Sequence, residues 1–359
     1  MQRTAIFLGL CAILTACSTD LDINAPYKNV TVVEGLLNMR DSVHLIKINK
    51  GFLGEGDALV YAQVQDSNEW SADAFEYARV VRLLNGQAVG TFPLQDTVVN
   101  DRLPGTFYGP TQRLYKFSDP FREVKMIGGV PVTLYLDDDS EYRIELKVKG
   151  EEVTSATTIV NDFSFQQADQ STDQVINLMA ASDFGTFELN WNTGRNGKRY
   201  VADYRVNYRE VRNGTTGELK TVTRRIGTVV KRSTGSNEAM AVAMDGRRFF
   251  EDLAASIPND PEVQQRIFLG VDFVVSVAND EFHTFLTLTE PISGIIEDRP
   301  TYSNIENGYG IFGSRYVKTI AGKRLGATSL NQLAEGDITG HLRFCSGMPG
   351  DVLSSHYCP

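Results

Sequence analysis

The chain is expected to fold as a mainly β protein: two β-sandwich bodies in series with a few short helices. Short stretches of apolar–polar alternation recur along its length. Turn pairs such as Asn85-Gly86 and Lys149-Gly150 separate consecutive stretches, at the spacing of a sandwich. With 359 residues the chain exceeds one ordinary core, which calls for two bodies.

Residues 1–16 read as a leader rather than as part of that fold. Arg3 supplies a positive start, and Ala5 to Leu14 is an apolar run too short to span a bilayer permanently. Leu14-Thr15-Ala16-Cys17 looks like a bacterial lipobox, an apolar residue and two small ones before a cysteine. In that chemistry the Cys17 thiol takes a diacylglyceryl group, and a peptidase requiring small residues cuts ahead of it. The chain then begins at an acylated Cys17, and residues 17–28 form a tether with Pro26 near its end. Two or three acyl chains, at roughly 0.8 kcal/mol per buried methylene, hold a body on a membrane almost permanently. Ser18 follows the cysteine in place of the aspartate that retains lipoproteins at the inner membrane, so the outer membrane is expected. Which face of it stays open.

The first body is expected over 29–162. Asn29 to Leu37 and Ser42 to Asn49 read as a hairpin turned at Asn38 to Asp41, with His44 facing solvent. Asp57 to Gln65 is ambiguous between helix and strand. Tyr77 to Leu84 and Gln87 to Leu94 flank Asn85-Gly86, the sharpest hairpin signal in the chain. Leu114 to Phe117 is a short strand. Glu141 to Val148 alternates strictly, turns at Lys149-Gly150 and returns through Val160. The polar stretch Asp162 to Asp173 reads as a linker.

The second body is expected over 174–359. Thr186 to Trp191, Tyr200 to Val211 and Leu219 to Val230 read as strands, with Trp191 suited to a core. Phe249 to Ile257 reads as a helix ended by Pro258, Arg266 to Val277 as a long buried strand, and Asp280 to Leu288 as a short helix. The tail from Ser293 is rich in glycine and is expected to be irregular.

Charge and cysteines limit the function classes. The net charge of −10 becomes −11 once Arg3 leaves, which argues against nucleic acid and against a polybasic membrane face. Cys11 leaves with the leader and Cys17 carries lipid, so Cys345 and Cys358 remain. In an oxidising compartment they most simply form a disulfide. His341 and His356 flank them, but His-x3-Cys and His-x-Cys fit neither common zinc pattern.

The last third carries a resemblance. The strand into Val277-Ala278-Asn279-Asp280-Glu281-Phe282-His283, followed by Tyr302-Ser303-Asn304-Ile305-Glu306-Asn307-Gly308-Tyr309-Gly310-Ile311-Phe312-Gly313, resembles the close of a Bacteroidota outer-membrane lipoprotein family without an assigned function. Val32-Val33-Glu34-Gly35 is similar to its opening, and Tyr142 to Val160 to the close of its first domain. The resemblance implies an immunoglobulin-like first half, a β-rich second half, and a role beside TonB-dependent transporters or in the envelope. Phe163-Ser164-Phe165 departs from it, standing where a proline-rich linker is expected. Asp20 and Asp22 are a loose match to the surface-export signal of such bacteria.

Asn307-Gly308 and Gly310 allow positive φ, and Tyr302, Asn304, Tyr309 and Phe312 lie around them, as a partner loop or as a turn docked on the sandwich. Gly use of this kind favours the turn. No HExxH, GxSxG, Walker A or Rossmann pattern occurs, and His44, His283, His341 and His356 lie apart, so no catalytic residue, cofactor or metal is assigned. Asp137-Asp138-Asp139 offers oxygens suited to calcium but lacks EF-hand spacing, and reads as a solvated turn. Trp70, Phe75, Tyr77, Phe107 and Tyr108 suit either sugar stacking and interfaces or the core of irregular loops. The expectation is a non-enzymatic, lipid-anchored envelope component that binds or assembles. The alternative is a surface protein capturing glycan or peptide for a TonB-dependent transporter.

Overall fold

A computed structural model describes residues 28–53, 57–127, 130–166, 174–233, 235–290 and 301–359. The leader 1–16, Cys17, the tether to residue 27 and linker residues 167–173 lie outside the described residues.

Where turn chemistry is sharp, the hairpins follow it. β1 (Lys28–Leu37) and β2 (His44–Leu53) pair antiparallel. β3 (Phe75–Leu84) and β4 (Gln87–Pro93) reverse at Asn85 and Gly86, with φ of 51° and 77°, the left-handed backbone a two-residue hairpin turn requires. After β5 (Gln95–Val99), β6 (Gln112–Phe117) and the small pair β7 (Glu123–Ile127) and β8 (Val130–Leu134) come β9 (Glu141–Val148) and β10 (Glu151–Thr158), turned at Lys149 and Gly150. The second half contributes β11 (Ser164–Phe165), β12 (Met179–Ala180), β13 (Asp183–Phe184), β14 (Thr186–Asn192), β15 (Arg199–Arg212) and β16 (Thr215–Val230). It continues with β17 (Ala239–Asp245), β18 (Gln265–Ala278), β19 (Tyr309–Lys323) and β20 (Phe344–Ser346). The α-helices are short: α1 (Ala58–Ala62), α2 (Gln65–Asn68), α3 (Gly246–Ser256), α4 (Asp280–Thr289) and α5 (Ala327–Glu335). The protein is therefore mainly β, with several sheets and a few short helices.

One nine-stranded sheet runs through both halves, in the order β16-β15-β18-β19-β1-β2-β6-β5 with β20 added beside β18. Its middle is the parallel pairing of β1 with β19, Val33 opposite Gly310 and Gly35 opposite Phe312. The divide between 29–162 and 174–359 thus passes through a sheet. The sheet β10-β9-β3-β4 meets the first-half strands through Phe92 on Phe117 (6.1 Å) and Phe75 on Tyr115 (5.4 Å). The sheet β11-β14-β17 meets the second-half strands through Phe187 stacked on Phe273 (5.1 Å) and Trp191 against Tyr200 (5.9 Å). Trp191, Tyr142, Ile144, Ile46 and Val33 are fully buried, each burial contributing on the order of 1.5–3 kcal/mol. Among the described residues no helix is long and apolar enough to cross a membrane.

Three expectations are corrected. The tail expected to be irregular from Ser293 lies outside the described residues as far as residue 300, and beyond that it is ordered in long elements, because Tyr309–Lys323 is a fifteen-residue strand and Ala327–Glu335 a helix. Glycines at 308, 310 and 313 obscure the strand pattern but serve its close packing against neighbours. His44 is buried (3% exposed) while Leu45 is exposed, because Ile46 and Ile48 set the inward phase of β2 and His44 shares it. The first residues of the expected linker belong to the core: Phe163 and Phe165 are buried, and Phe165 pairs with Trp191.

Candidate functional site

The closing stretch Tyr302 to Gly313 lies where three strands from distant parts of the chain converge. Asn304 acts as a local substitute for a strand: its Nδ2 donates to the Phe312 carbonyl (2.7 Å) and its Oδ1 accepts from the Phe312 N–H (3.0 Å). Glu306 exchanges backbone hydrogen bonds with Thr154 of β10 (2.8 and 3.4 Å), and its carboxylate accepts from the Thr154 hydroxyl (2.9 Å). Asn307, at φ 55°, donates from Nδ2 to the Glu152 carbonyl (2.9 Å). A Cβ on Gly308 would stand 2.7 Å from the Thr31 carbonyl oxygen, so only glycine lets β1 approach there. Ile305, Ile311 and Phe312 are buried, Tyr302 is half-buried, and Tyr309 points outward at 56% exposure.

This seam leaves an open groove of about 550 Å³ lined by Asn29 and Val30 of β1, Glu151 and Glu152 of β10, and Asn307, Gly308 and Tyr309. An aromatic face beside amides and carboxylates can stack on and hydrogen-bond a polar ligand. Ser314, just beyond the stretch and fully buried, accepts from the Val160 N–H (2.9 Å) and donates to the Leu37 carbonyl (3.1 Å). Asn279, also buried, caps α4 by accepting from the Phe282 N–H (3.2 Å) and donates to the Thr157 hydroxyl (2.7 Å). The stretch singled out in the sequence is thus the joint between the halves.

The remaining candidates are scattered. Cys345 and Cys358 are joined, with Cα atoms 5.0 Å apart. Nearby, His356 Nε2 pairs with Asn331 Oδ1 (2.8 Å), and Arg324 pairs with Asp351 (2.9 Å). His283 sits on α4, where burial lowers its pKa and the Arg199 charge adds to that. Asp137, Asp138 and Asp139 bring their carboxylates together. The geometry commits them elsewhere: Asp138 pairs with Lys125 (2.9 Å) and accepts from Asn161 (2.7 Å), Asp139 pairs with Arg195, and Asp137 accepts from the Ser140 hydroxyl (2.7 Å). Of the aromatics, Trp70 is buried, Phe75, Tyr77 and Tyr108 are half-buried, and Phe107 is exposed.

Buried charge was not foreseen from the sequence. Asp119, its side chain fully buried, takes both Arg82 (3.0 Å) and the Tyr142 hydroxyl (2.9 Å). Arg266, 1% exposed, binds Glu210 (3.2 Å) and the carbonyls of Leu342 and Pro258. Lys231 is fully buried, donates to the Gly194 carbonyl (3.3 Å), and has its pKa lowered by that burial. No local signal marks Asp119 or Lys231, which lie just beyond strand ends where alternation no longer sets a face.

No family model matches the chain, and no curated protein matches it in sequence. Among solved structures it is similar to the C-terminal globular domain of an oligosaccharyltransferase from Pyrococcus abyssi at 10% identity. That match covers 68% of this chain but 45% of the other, so this chain spans less than half of that structure's length. The TM-score is 0.23, too low to carry an argument.

Proposed function

We propose that this chain is a lipid-anchored outer-membrane protein, built of two immunoglobulin- or fibronectin-like β-sandwich halves that share one sheet, and that it works by binding or assembly and not by catalysis. The observation that carries the reading is Leu14-Thr15-Ala16-Cys17, set in register at the end of an apolar run of leader length. The joined pair Cys345–Cys358 agrees with an oxidising compartment outside the cytoplasm. The clustered carboxylates of Asp137, Asp138 and Asp139 are engaged by Ser140, Lys125, Asn161 and Arg195, which supports contact over chemistry. The partner class is an envelope protein such as a TonB-dependent transporter.

The groove beside Tyr309 favours a second reading, capture of a glycan or peptide for such a transporter, because an exposed tyrosine between amides and carboxylates suits a sugar ring. Replacing Cys17 by Ser tests the anchor. Labelled palmitate incorporation and envelope fractionation are both expected to be lost, and their persistence would overturn the reading. Crosslinking in intact cells then identifies the neighbour, and a glycan array separates capture from assembly.

A further inference from the structure

Two segments far apart in sequence build one apolar surface on the first half. In α1 and the residue after its cap, Leu59 is 65% exposed, Val60 60%, Tyr61 38% and Val64 45%. In the connection from β5 to β6, Leu103 is 84% exposed and Phe107 54%. Hydrogen bonds hold the segments against each other: Gln63 Nε2 donates to the carbonyls of Gly105 (3.3 Å) and Thr106 (2.5 Å), and the Tyr108 N–H donates to the Ala62 carbonyl (2.8 Å).

The surface is also fixed from beneath. Asn68, 6% exposed, donates from Nδ2 to the carbonyls of Tyr61 (3.2 Å), Ala62 (2.8 Å) and Val64 (2.7 Å). Glu69 pairs with Asn49 of β2 as a bridge and accepts from the Arg113 N–H (3.0 Å). These bonds hold the backbone of Tyr61, Ala62 and Val64 in place. Contiguous exposed apolar side chains on a held backbone mark a contact face.

The position of this face in the fold identifies its occupant. Lys28, the first described residue, pairs with Leu53 at the end of β2, and α1 begins at Ala58. The five steps from Leu53 to Ala58 reach at most roughly 18 Å, so the face lies at the end of the molecule where the tether enters. Ten residues separate Cys17 from Lys28, and the eleven steps between their α-carbons span at most roughly 40 Å. An acylated Cys17 therefore brings this end within reach of the bilayer.

We infer that Leu59, Val60, Tyr61, Val64, Leu103 and Phe107 form a membrane-resting face that inserts into the lipid interface and sets the orientation of the anchored body. The inference rests on the lipid-anchor reading. Apolar and aromatic side chains presented together at the headgroup level add binding that one short tether does not, and they limit rotation on it.

The test places a Trp at Phe107 in the full-length chain, reconstituted in vesicles of phosphatidylethanolamine and phosphatidylglycerol with or without brominated acyl chains. Leu219→Trp, on the exposed strand β16, is the control. Quenching by bromolipid over the parent chain is expected to be at least two-fold greater for Phe107→Trp than for the control, by direct contact with the interface. Equal quenching at the two positions overturns the inference. So does shielding of Phe107→Trp from aqueous iodide in native envelopes but not in pure lipid, since the occupant is then a protein. Palmitate labelling of the same preparation keeps the two readings apart. Label without quenching leaves the anchor and removes the face, whereas quenching of unlabelled chain added to vesicles leaves the face and removes the anchor.

Discussion

Gly310 packs its α-carbon against the backbone of Val33 so closely that a Cβ would stand 2.0 Å from the Val33 carbonyl oxygen. Its φ of 112° lies in the region that L side chains rarely adopt. These residues face each other in the parallel pairing of β1 with β19, among the described residues the only direct ladder between first-half and second-half strands of the large sheet. Both clash and strain act on one contact, so Gly310→Ala is expected to destabilise by about 3 kcal/mol or more. Urea unfolding measures it. A variant within about 0.5 kcal/mol of the parent would mean the pairing yields freely.

Asn304→Ala removes both hydrogen bonds to the backbone of the fully buried Phe312. Leaving a buried N–H and carbonyl unpaired costs about 1–3 kcal/mol each. Asn304→Asp keeps an acceptor for the N–H but sets a carboxylate against the carbonyl, so it is expected to rescue little. Amide hydrogen exchange at Phe312 reads the loss directly. Unchanged protection in Asn304→Ala would refute the role.

Asp119 joins the positive Arg82 to the Tyr142 hydroxyl in the first-half core and accepts from the Phe121 N–H (2.8 Å). Asp119→Ala strands the largely buried guanidinium, at a cost of about 3–5 kcal/mol. Pairing it with Arg82→Met is expected to recover a large part of that loss. A double-mutant cycle in urea that gives additive losses would count against the pair.

His44 gives acid sensitivity. Burial lowers its pKa from 6.5 to about 4, and Nε2 is buried without a hydrogen-bond partner. Between those two values the unfolded chain binds a proton that the folded chain does not. Stability is therefore full above the unfolded value and falls as pH drops through the window, by about 3 kcal/mol in total at 1.36 kcal/mol per unit. His44→Leu is expected to flatten this part of the curve. Thermal melts of both proteins at pH 7 and pH 4.5 provide the comparison, and equal losses in the two would exclude His44 as the source.

Local chemistry was legible in the sequence where a strong turn pair joins two alternating strands, but the local pairs β7–β8 and β12–β13 and strand β5, which lack such a turn signal or are very short, were not. Asn85-Gly86 and Lys149-Gly150 turn as their residue types require, Tyr200 to Val211 keeps its period, and Trp191 is in the core. At the candidate site, the stretch Tyr302 to Phe312 was found, but not its contacts with Thr154, Glu152 and Val33. The exposed face on α1 was missed because Asp57 to Gln65 has no clear period. His44 shares the inward phase of Ile46 and Ile48, which the apolar neighbour Leu45 masks in the sequence.

By itself, then, the sequence determined the mainly β class, several hairpins and the Cys345–Cys358 pair. Only the tertiary structure decided that β1 lies beside β19, that the sheet crosses the expected domain divide, and which charged groups are buried. The reason is physical. A hairpin is specified by the turn and the alternation within it, whereas a pairing across nearly three hundred residues is specified by which faces can be buried together, and that depends on every other strand.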